Sequence, residues 1–358
     1  MSSAVVIDYH DDAALSWAQR YRHQTQRDAS LLRDTIMTHA LITGGAGFIG
    51  SHLAEKLLAD GATVTVIDNL STGSVANLAL ADRHPRFRSA IEDIRNIHVM
   101  DRLVSECDVI FHLAAAVGVQ RIISEPIETI ETNIGGTEVV LKAARRYRRK
   151  VLIASTSEVY GKGVKFPFEE DDDSLLGPTT RSRWSYAASK AIDEFLGLAY
   201  HRQVDLPVVI FRLFNTVGAR QSGQYGMVLP RFVQWALAGE PIRVYGDGEQ
   251  QRCFGNVNDV VTAIAALADV DGAVGQVFNI GSDEEISIVG LAERVKARTG
   301  SASPITFIPY EEAYETGFED FRRRVPSLDK IKRVIDWQPT TPLDQTIDQI
   351  IAYHRKEQ

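Results

Sequence analysis

The segment TGGAGFIG, residues 43–50, constrains this chain more than any other. It follows a short apolar run, HALIT (39–43), and opens a stretch with helical spacing at 48–60. Gly45, Gly47 and Gly50 stand in G-x-G-x-x-G order at the turn between them. Glycine permits the tight turn and a close backbone approach, and the helix N-terminus then faces a pyrophosphate. The glycine spacing alone is weak; the strand–turn–helix context makes it specific. Asp68 ends the next apolar run, TVTVIDN (63–69). A carboxylate there accepts both ribose hydroxyls and repels a 2′-phosphate, so NAD is expected over NADP.

The alternation continues. RFRSAIED supplies a strand at 86–91, VIFHLAA one at 109–115, KVLIAS one at 150–155 and PVVIFRLFN one at 207–215, with a helix at about 127–147. Apolar strands between amphipathic helices predict a parallel sheet covered on both faces. Right-handed crossovers make it doubly wound. After 215 the chain is richer in Gly, Pro and mixed polar residues, and QVFNIG (276–281) reads as a strand returning to the sheet. The expected fold is α/β. A Rossmann-like, doubly wound parallel sheet covers 38–214 with 259–281 returning to it, and 215–258 and 282–358 form a smaller interleaved substrate-binding lobe. Residues 1–37 are expected to be an N-terminal appendage, with Met37 a plausible alternative start.

With 358 residues, 44% of them hydrophobic, the chain has material for a large core. A net charge of -8 argues against a dedicated binder of nucleic acid or anionic membranes. The basic cluster RRYRRK (145–150) reads as a solvated helix end. Cys107 and Cys253 are far apart, so neither a disulfide framework nor a metal site is expected. No apolar run is long enough to span a bilayer. The first residues carry acids where a signal peptide needs a basic segment. A cytoplasmic enzyme or binding protein is the expectation.

Chemistry enters with WSYAASKAIDEFLGLAY, residues 184–200. Tyr186 and Lys190 are four residues apart, so a helix stacks them on one face. Lys190 can hold a nicotinamide ribose, and its charge favours phenolate over phenol. Tyr186 then removes a hydroxyl proton as hydride leaves the same carbon. Thr156, in STSEVYG (155–161), can bond that hydroxyl. The bland alternative is Tyr–Lys packing on a helix surface. Glu158 adds a carboxylate beside the hydroxyl pair: either a loop anchor or a group acting on the carbon next to a new ketone. Asp93 is either an adenine-edge contact or an exposed turn acid, and His112 reads as structural.

Together TGGAGFIG, DNLSTG, HLAA, STSEVYG, YAASK, FRLFNTVGAR and RCFGNVNDV resemble the extended short-chain dehydrogenase/reductase family of NAD-dependent nucleotide-sugar epimerases and dehydratases. The resemblance covers about 38–345. It implies a nucleotide-diphosphate sugar as substrate, UDP-linked by preference, and chemistry through a 4-keto sugar. It implies cofactor contacts from Gly44, Gly45, Gly47, Phe48, Ile49, Gly50, Asp68, Asn69, Asp93, Ile94, Leu113, Ala114, Ala115, Asn133, Tyr186 and Lys190. For the substrate it implies Arg183, Asn215, Leu229, Tyr245, Arg252 and Arg324. Catalytic roles fall to Tyr186, Lys190, Thr156 and Glu158.

Within that family, the Thr-Ser-Glu pattern, TRSRWSYAASK (180–190) and RRRVPSLDKIKRVIDWQP (322–339) look most like UDP-glucuronate decarboxylases, with similarity to GDP-mannose 4,6-dehydratases. Dehydration and 4- or 5-epimerisation are the alternatives. One position departs: the decarboxylases carry a tyrosine near the substrate carboxylate where this chain has Ile122, with Gln120 and Arg121 nearby. The resemblance also implies a homodimer, built through the helices at 127–147 and 186–204.

Overall fold

The computed structural model describes residues 38–118, 122, 124–223, 227–309, 312 and 322–357. The proposed appendage at 1–37 and the substitutes Gln120 and Arg121 lie outside these. Strand β1 (His39–Thr43) runs at the centre of a seven-stranded sheet. It pairs in parallel with β2 (Thr63–Asp68) on one side and with β4 (Val109–His112) on the other. β3 (Phe87–Ile91) extends the first side. β5 (Lys150–Thr156), β6 (Val208–Leu213) and the strand Val277–Ile280 extend the second. The chain order therefore reverses between β1 and β4. A parallel sheet opens a crevice at such a point, beyond the carboxyl ends of its strands.

Both faces of the sheet are covered, as near-continuous apolar strands require. Leu53 of the helix Phe48–Ala59 (α1) packs on one face with Val260, Ile264 and Leu267, and Ile331 and Trp337 join them. Met100, Val140, Leu141 and Ala144 pack on the other. A third cluster joins Leu229, Phe232, Val244, Leu291 and Ile347. It lies within residues 217–351, under the two-stranded pairing of Ile242–Tyr245 with Ile305–Ile308.

Two elements differ from the sequence expectation. The fourth strand stops at His112 rather than 115, because its ladder partner β1 ends at Thr43, opposite His112. Leu113–Ala115 is thereby released as a loop. The helix expected over 127–147 is broken into Pro126–Ile130, a π-helical turn Glu131–Gly135 and Gly136–Tyr147. The wide turn carries Asn133; such turns often sit at functional sites.

Buried histidines give the fold an acid limit. Burial, reinforced by the charge of Lys190, holds the His112 pKa down to about 3, and burial holds His52 at about 4. Both are neutral when folded and charge near the ordinary value when unfolded. Their contribution is present above that value and is lost as pH falls below it. Urea unfolding at pH 7 and pH 5 should show wild type losing about 2 kcal/mol through His112, and His112→Gln losing that much less.

Candidate active site

The crevice is a cleft of about 490 Å³. Its floor is the glycine turn. A Cβ on Gly50 would lie 2.3 Å from the Gly44 carbonyl oxygen, and one on Gly44, at φ +69°, 2.8 Å from the Ala114 amide nitrogen. Only glycine leaves the backbone bare here. Gly50→Ala should therefore abolish measurable dinucleotide binding and destabilise the fold by about 1–3 kcal/mol, read by ligand titration and melting. Gly44, Gly47, Phe48, Ile49 and Gly50 line the cleft. Gly45 does not; a Cβ there would strike the Val66 side chain at 2.3 Å, so this glycine lets the turn pack on β2.

Asp68 is buried on the cleft wall at the end of β2. Its carboxylate accepts from the Leu70 amide at 2.8 Å and the Ala46 amide at 2.9 Å. Burial raises its pKa, and these amides oppose the rise. Asn69, Ile94, Leu113, Ala114 and Ala115 also line the cleft. A bare glycine turn with a fixed carboxylate one strand away fits a dinucleotide's pyrophosphate and ribose.

Asp93 and Asn133 sit elsewhere. Asp93 is held by Arg95 at 2.8 Å and Asn69 at 3.1 Å, and does not line the cleft. Arg95 pulls its pKa down to about 2. Asn133 is buried behind the wall: its amide accepts from Ala116 N at 2.8 Å and donates to Ser189 Oγ at 3.0 Å. It ties the loop after β4 to the helix Ser185–Val204, which carries Tyr186 and Lys190.

At the other end β5 delivers Thr156, whose side-chain oxygen accepts from the Glu158 amide at 3.2 Å and caps a short 3₁₀ turn. The Thr156 hydroxyl also lies near the buried Tyr186 hydroxyl. Burial first, then the nearby Glu158 charge, raises the Tyr186 pKa; Thr156 and Arg324 counter this. Glu158, with its side chain 15% exposed, lies 2.6 Å from Arg183 and 3.7 Å from Arg324. Arg324 donates to Asn215 at 2.7 Å, and Asn215 to the Cys253 carbonyl at 2.9 Å. Parallel pairing sets Arg324 opposite Arg252, and both side chains reach the cleft. Leu229 and Tyr245 line the same cleft further along. All four residues expected to be catalytic thus line the same cleft as Arg183, Arg252 and Arg324.

The sequence profile of the family described as GDP-mannose 4,6 dehydratase matches residues 41–350. The chain belongs to that family. Members of the wider group include a UDP-N-acetyl-alpha-D-glucosaminuronate decarboxylase of Bacillus cytotoxicus, 45% identical over 318 residues, covering 88% of this chain and 97% of the relative. The UDP-glucuronic acid decarboxylase 1 of Xenopus tropicalis is 38% identical, covering 88% and 72%. Among solved structures, the UDP-glucuronic acid 4-epimerase of Bacillus cereus, in complex with UDP-4-deoxy-4-fluoro-glucuronic acid and NAD, superposes with a TM-score of 0.81. It is 26% identical, and the match covers 89% of this chain and all of that one.

Several cleft residues of this family member escaped the sequence reading. Arg231 and Arg243 each stand 5.4 Å from the Trp235 ring centre, and all three line the cleft. Arg231 and Trp235 are four apart on a helix, a spacing that marks a shared face. Arg220 reaches across to Glu55 of α1 at 2.7 Å. Ser155, Glu194 and Arg212 brace the end of β5: Ser155 donates to Glu194 at 2.5 Å, and Arg212 forks onto Glu194 at 2.9 and 2.7 Å. Ile122, 2% exposed, is on the cleft wall, so the position that departs from the decarboxylase pattern does face the ligand space.

Proposed function

We propose that this chain is an NAD-dependent decarboxylase of a UDP-linked uronic acid, working through a 4-keto sugar. The observation that carries it is the grip of Arg183 and Arg324 on Glu158 beside Tyr186. A carboxylate neutralised by two guanidiniums is a poor free base for pulling a C5 proton. The same guanidiniums suit a substrate carboxylate, which arginine forks bind well in a secluded site. The relatives named for uronate decarboxylation support this reading.

Asp68 and the glycine turn would hold the ribose and pyrophosphate of NAD, and Lys190 its second ribose; bound there, it would supply a reversible hydride acceptor for C4 of the sugar. Tyr186 removes the C4 hydroxyl proton, with Thr156 sharing the hydrogen bond. The new ketone makes the uronate a β-keto acid. The C5–C6 bond then breaks, CO₂ leaves, and its electron pair forms an enolate at C4–C5. Tyr186 and Thr156 stabilise the enolate oxygen. As Arg183 and Arg324 turn to the substrate carboxylate, Glu158 is released from them and passes a proton drawn from solvent to C5, and Tyr186 reprotonates the C4 oxygen. The net change is one CO₂ lost and one proton gained. Asn215, Arg252 and Arg324 approach the diphosphate and sugar, and Leu229 and Tyr245 enclose the base.

Product mass tests this directly. Incubation with UDP-glucuronate and with its 2-acetamido analogue should show loss of CO₂ from at least one. Loss of water would support the dehydratase reading, and unchanged mass the epimerase reading.

We also propose a homodimer in the cytoplasm. Ile127, Ile130, Ile192 and Phe195 are exposed on the helices Pro126–Ile130 and Ser185–Val204, with Phe195 75% exposed. Apolar side chains gathered on neighbouring helices ask for a partner surface. Cys107 and Cys253 are buried and free, which suits a reducing compartment. Phe195→Glu should shift the protein from dimer to monomer in light scattering.

A further inference from the structure

Lys190 is 2% exposed and its ammonium donates to Asp193, itself fully buried, at 2.7 Å. A second polar line approaches the same carboxylate from the strand ends. Thr43 Oγ1 lies 2.8 Å from His112 Nδ1, and His112 Nε2 lies 2.9 Å from Thr137 Oγ1. The Thr137 hydroxyl lies near Asp193 and favours its charged form, although Asp193 Oδ1 accepts no hydrogen bond. The Ala114 amide donates to Thr43 Oγ1 at 3.2 Å. Thr43, His112, Thr137, Asp193 and Lys190 are all buried.

One proton arrangement suits the line from Thr43 to Thr137. An ionised carboxylate only accepts, so the Thr137 proton turns toward Asp193 while its oxygen accepts from His112 Nε2–H. His112 Nδ1 then accepts from the Thr43 hydroxyl, whose oxygen still accepts from Ala114. This requires a neutral imidazole, and burial keeps His112 neutral. The line starts at the cleft wall and ends at Thr137, facing Asp193, without reaching solvent, so it fixes groups in place.

We infer that Asp193, paired with Lys190 at 2.7 Å and faced by Thr137, is a positioning residue: it keeps the Lys190 ammonium charged and aimed at the nicotinamide ribose. This rests on the roles given above to Tyr186 and Lys190. A buried ammonium stripped of its carboxylate is strongly disfavoured. The other charges facing these groups stay as they are. Glu158 and Arg324 face Tyr186, and Glu194, next to Asp193, is locked to Arg212.

The test compares full-length wild type, Asp193→Asn, Asp193→Glu and Thr137→Val, each checked for folding by circular dichroism and melting. NAD affinity is titrated without sugar. The rate of NADH formation with UDP-glucuronate or its 2-acetamido analogue is followed against pH. Asp193→Asn should bind NAD about tenfold more weakly, and its rate should rise with pH about one unit later, because an uncharged Lys190 no longer favours the Tyr186 phenolate. Asp193→Glu should recover part of both, and Thr137→Val should show a smaller shift in the same direction. Simple removal of a negative charge, with Lys190 still charged, would move the rise to lower pH. Unchanged NAD affinity, or a rise that stays put or moves to lower pH, overturns the inference. The NAD titration needs no sugar, so a protein that binds NAD through Asp193 yet turns over neither uronate contradicts only the decarboxylase reading.

Discussion

Tyr186→Phe should lower turnover by roughly 10³-fold while leaving the fold intact, since general acid–base groups contribute on the order of 10²–10⁴. The ring stays and keeps its buried packing; only the hydroxyl near Thr156 is lost. Without it no group at C4 can take the hydroxyl proton. Melting should therefore change little, and nucleotide-sugar affinity by less than about threefold, because the loss falls on a step made only in the transition state. The wild-type rate should climb with pH, since burial and Glu158 both disfavour the phenolate. The variant's residual rate should lack that rise. Single-turnover NADH formation across pH, with a parallel binding titration, checks both. Retention of the rise would show that another group titrates.

Glu158→Gln should divide the reaction. Removing this charge takes away one of the influences that raise the Tyr186 pKa, and it leaves Arg183 and Arg324 without their shared carboxylate. Both effects favour phenolate, so C4 oxidation should persist and its pH rise should move to lower pH. The C5 step loses its proton donor, and overall turnover should fall by about 10²-fold. The variant should accumulate NADH and keto sugar where wild type does not. Quenching at intervals and separating products by mass gives the two rates. Equal losses in oxidation and in C5 chemistry would count against a separate role for Glu158.

The contrast between these two residues shows how the sequence informs the site. Tyr186 and Lys190 were legible because helical spacing alone stacks them. The glycine turn and Asp68 were legible because strand, turn and strand end are local. Glu158 was visible as a carboxylate out of place, but its pairing was not. Arg183 is twenty-five residues away and Arg324 reaches it from a short strand paired with Gln251–Cys253. Asn133 is assigned to the cofactor by the family resemblance alone. The π turn instead aims it at Ala116 and Ser189. Asp93 reads equally as turn acid or ligand, and Arg95, two residues on, claims it. Asp193, three residues after Lys190, was open to the same spacing argument that found Tyr186. The neighbouring His112–Thr137 contact joins a strand to a helix twenty-five residues on, which no local pattern encodes.

The central claim is loss of the substrate carboxylate as CO₂. UDP-glucuronate and its 2-acetamido analogue, each labelled at the carboxyl carbon, can be incubated with the NAD-loaded enzyme and the released gas trapped. The account predicts that labelled CO₂ appears from at least one of them in a one-to-one ratio with an unlabelled UDP-pentose or its acetamido counterpart. Label retained in a dehydrated or epimerised nucleotide sugar, or no labelled gas from either substrate, would contradict it.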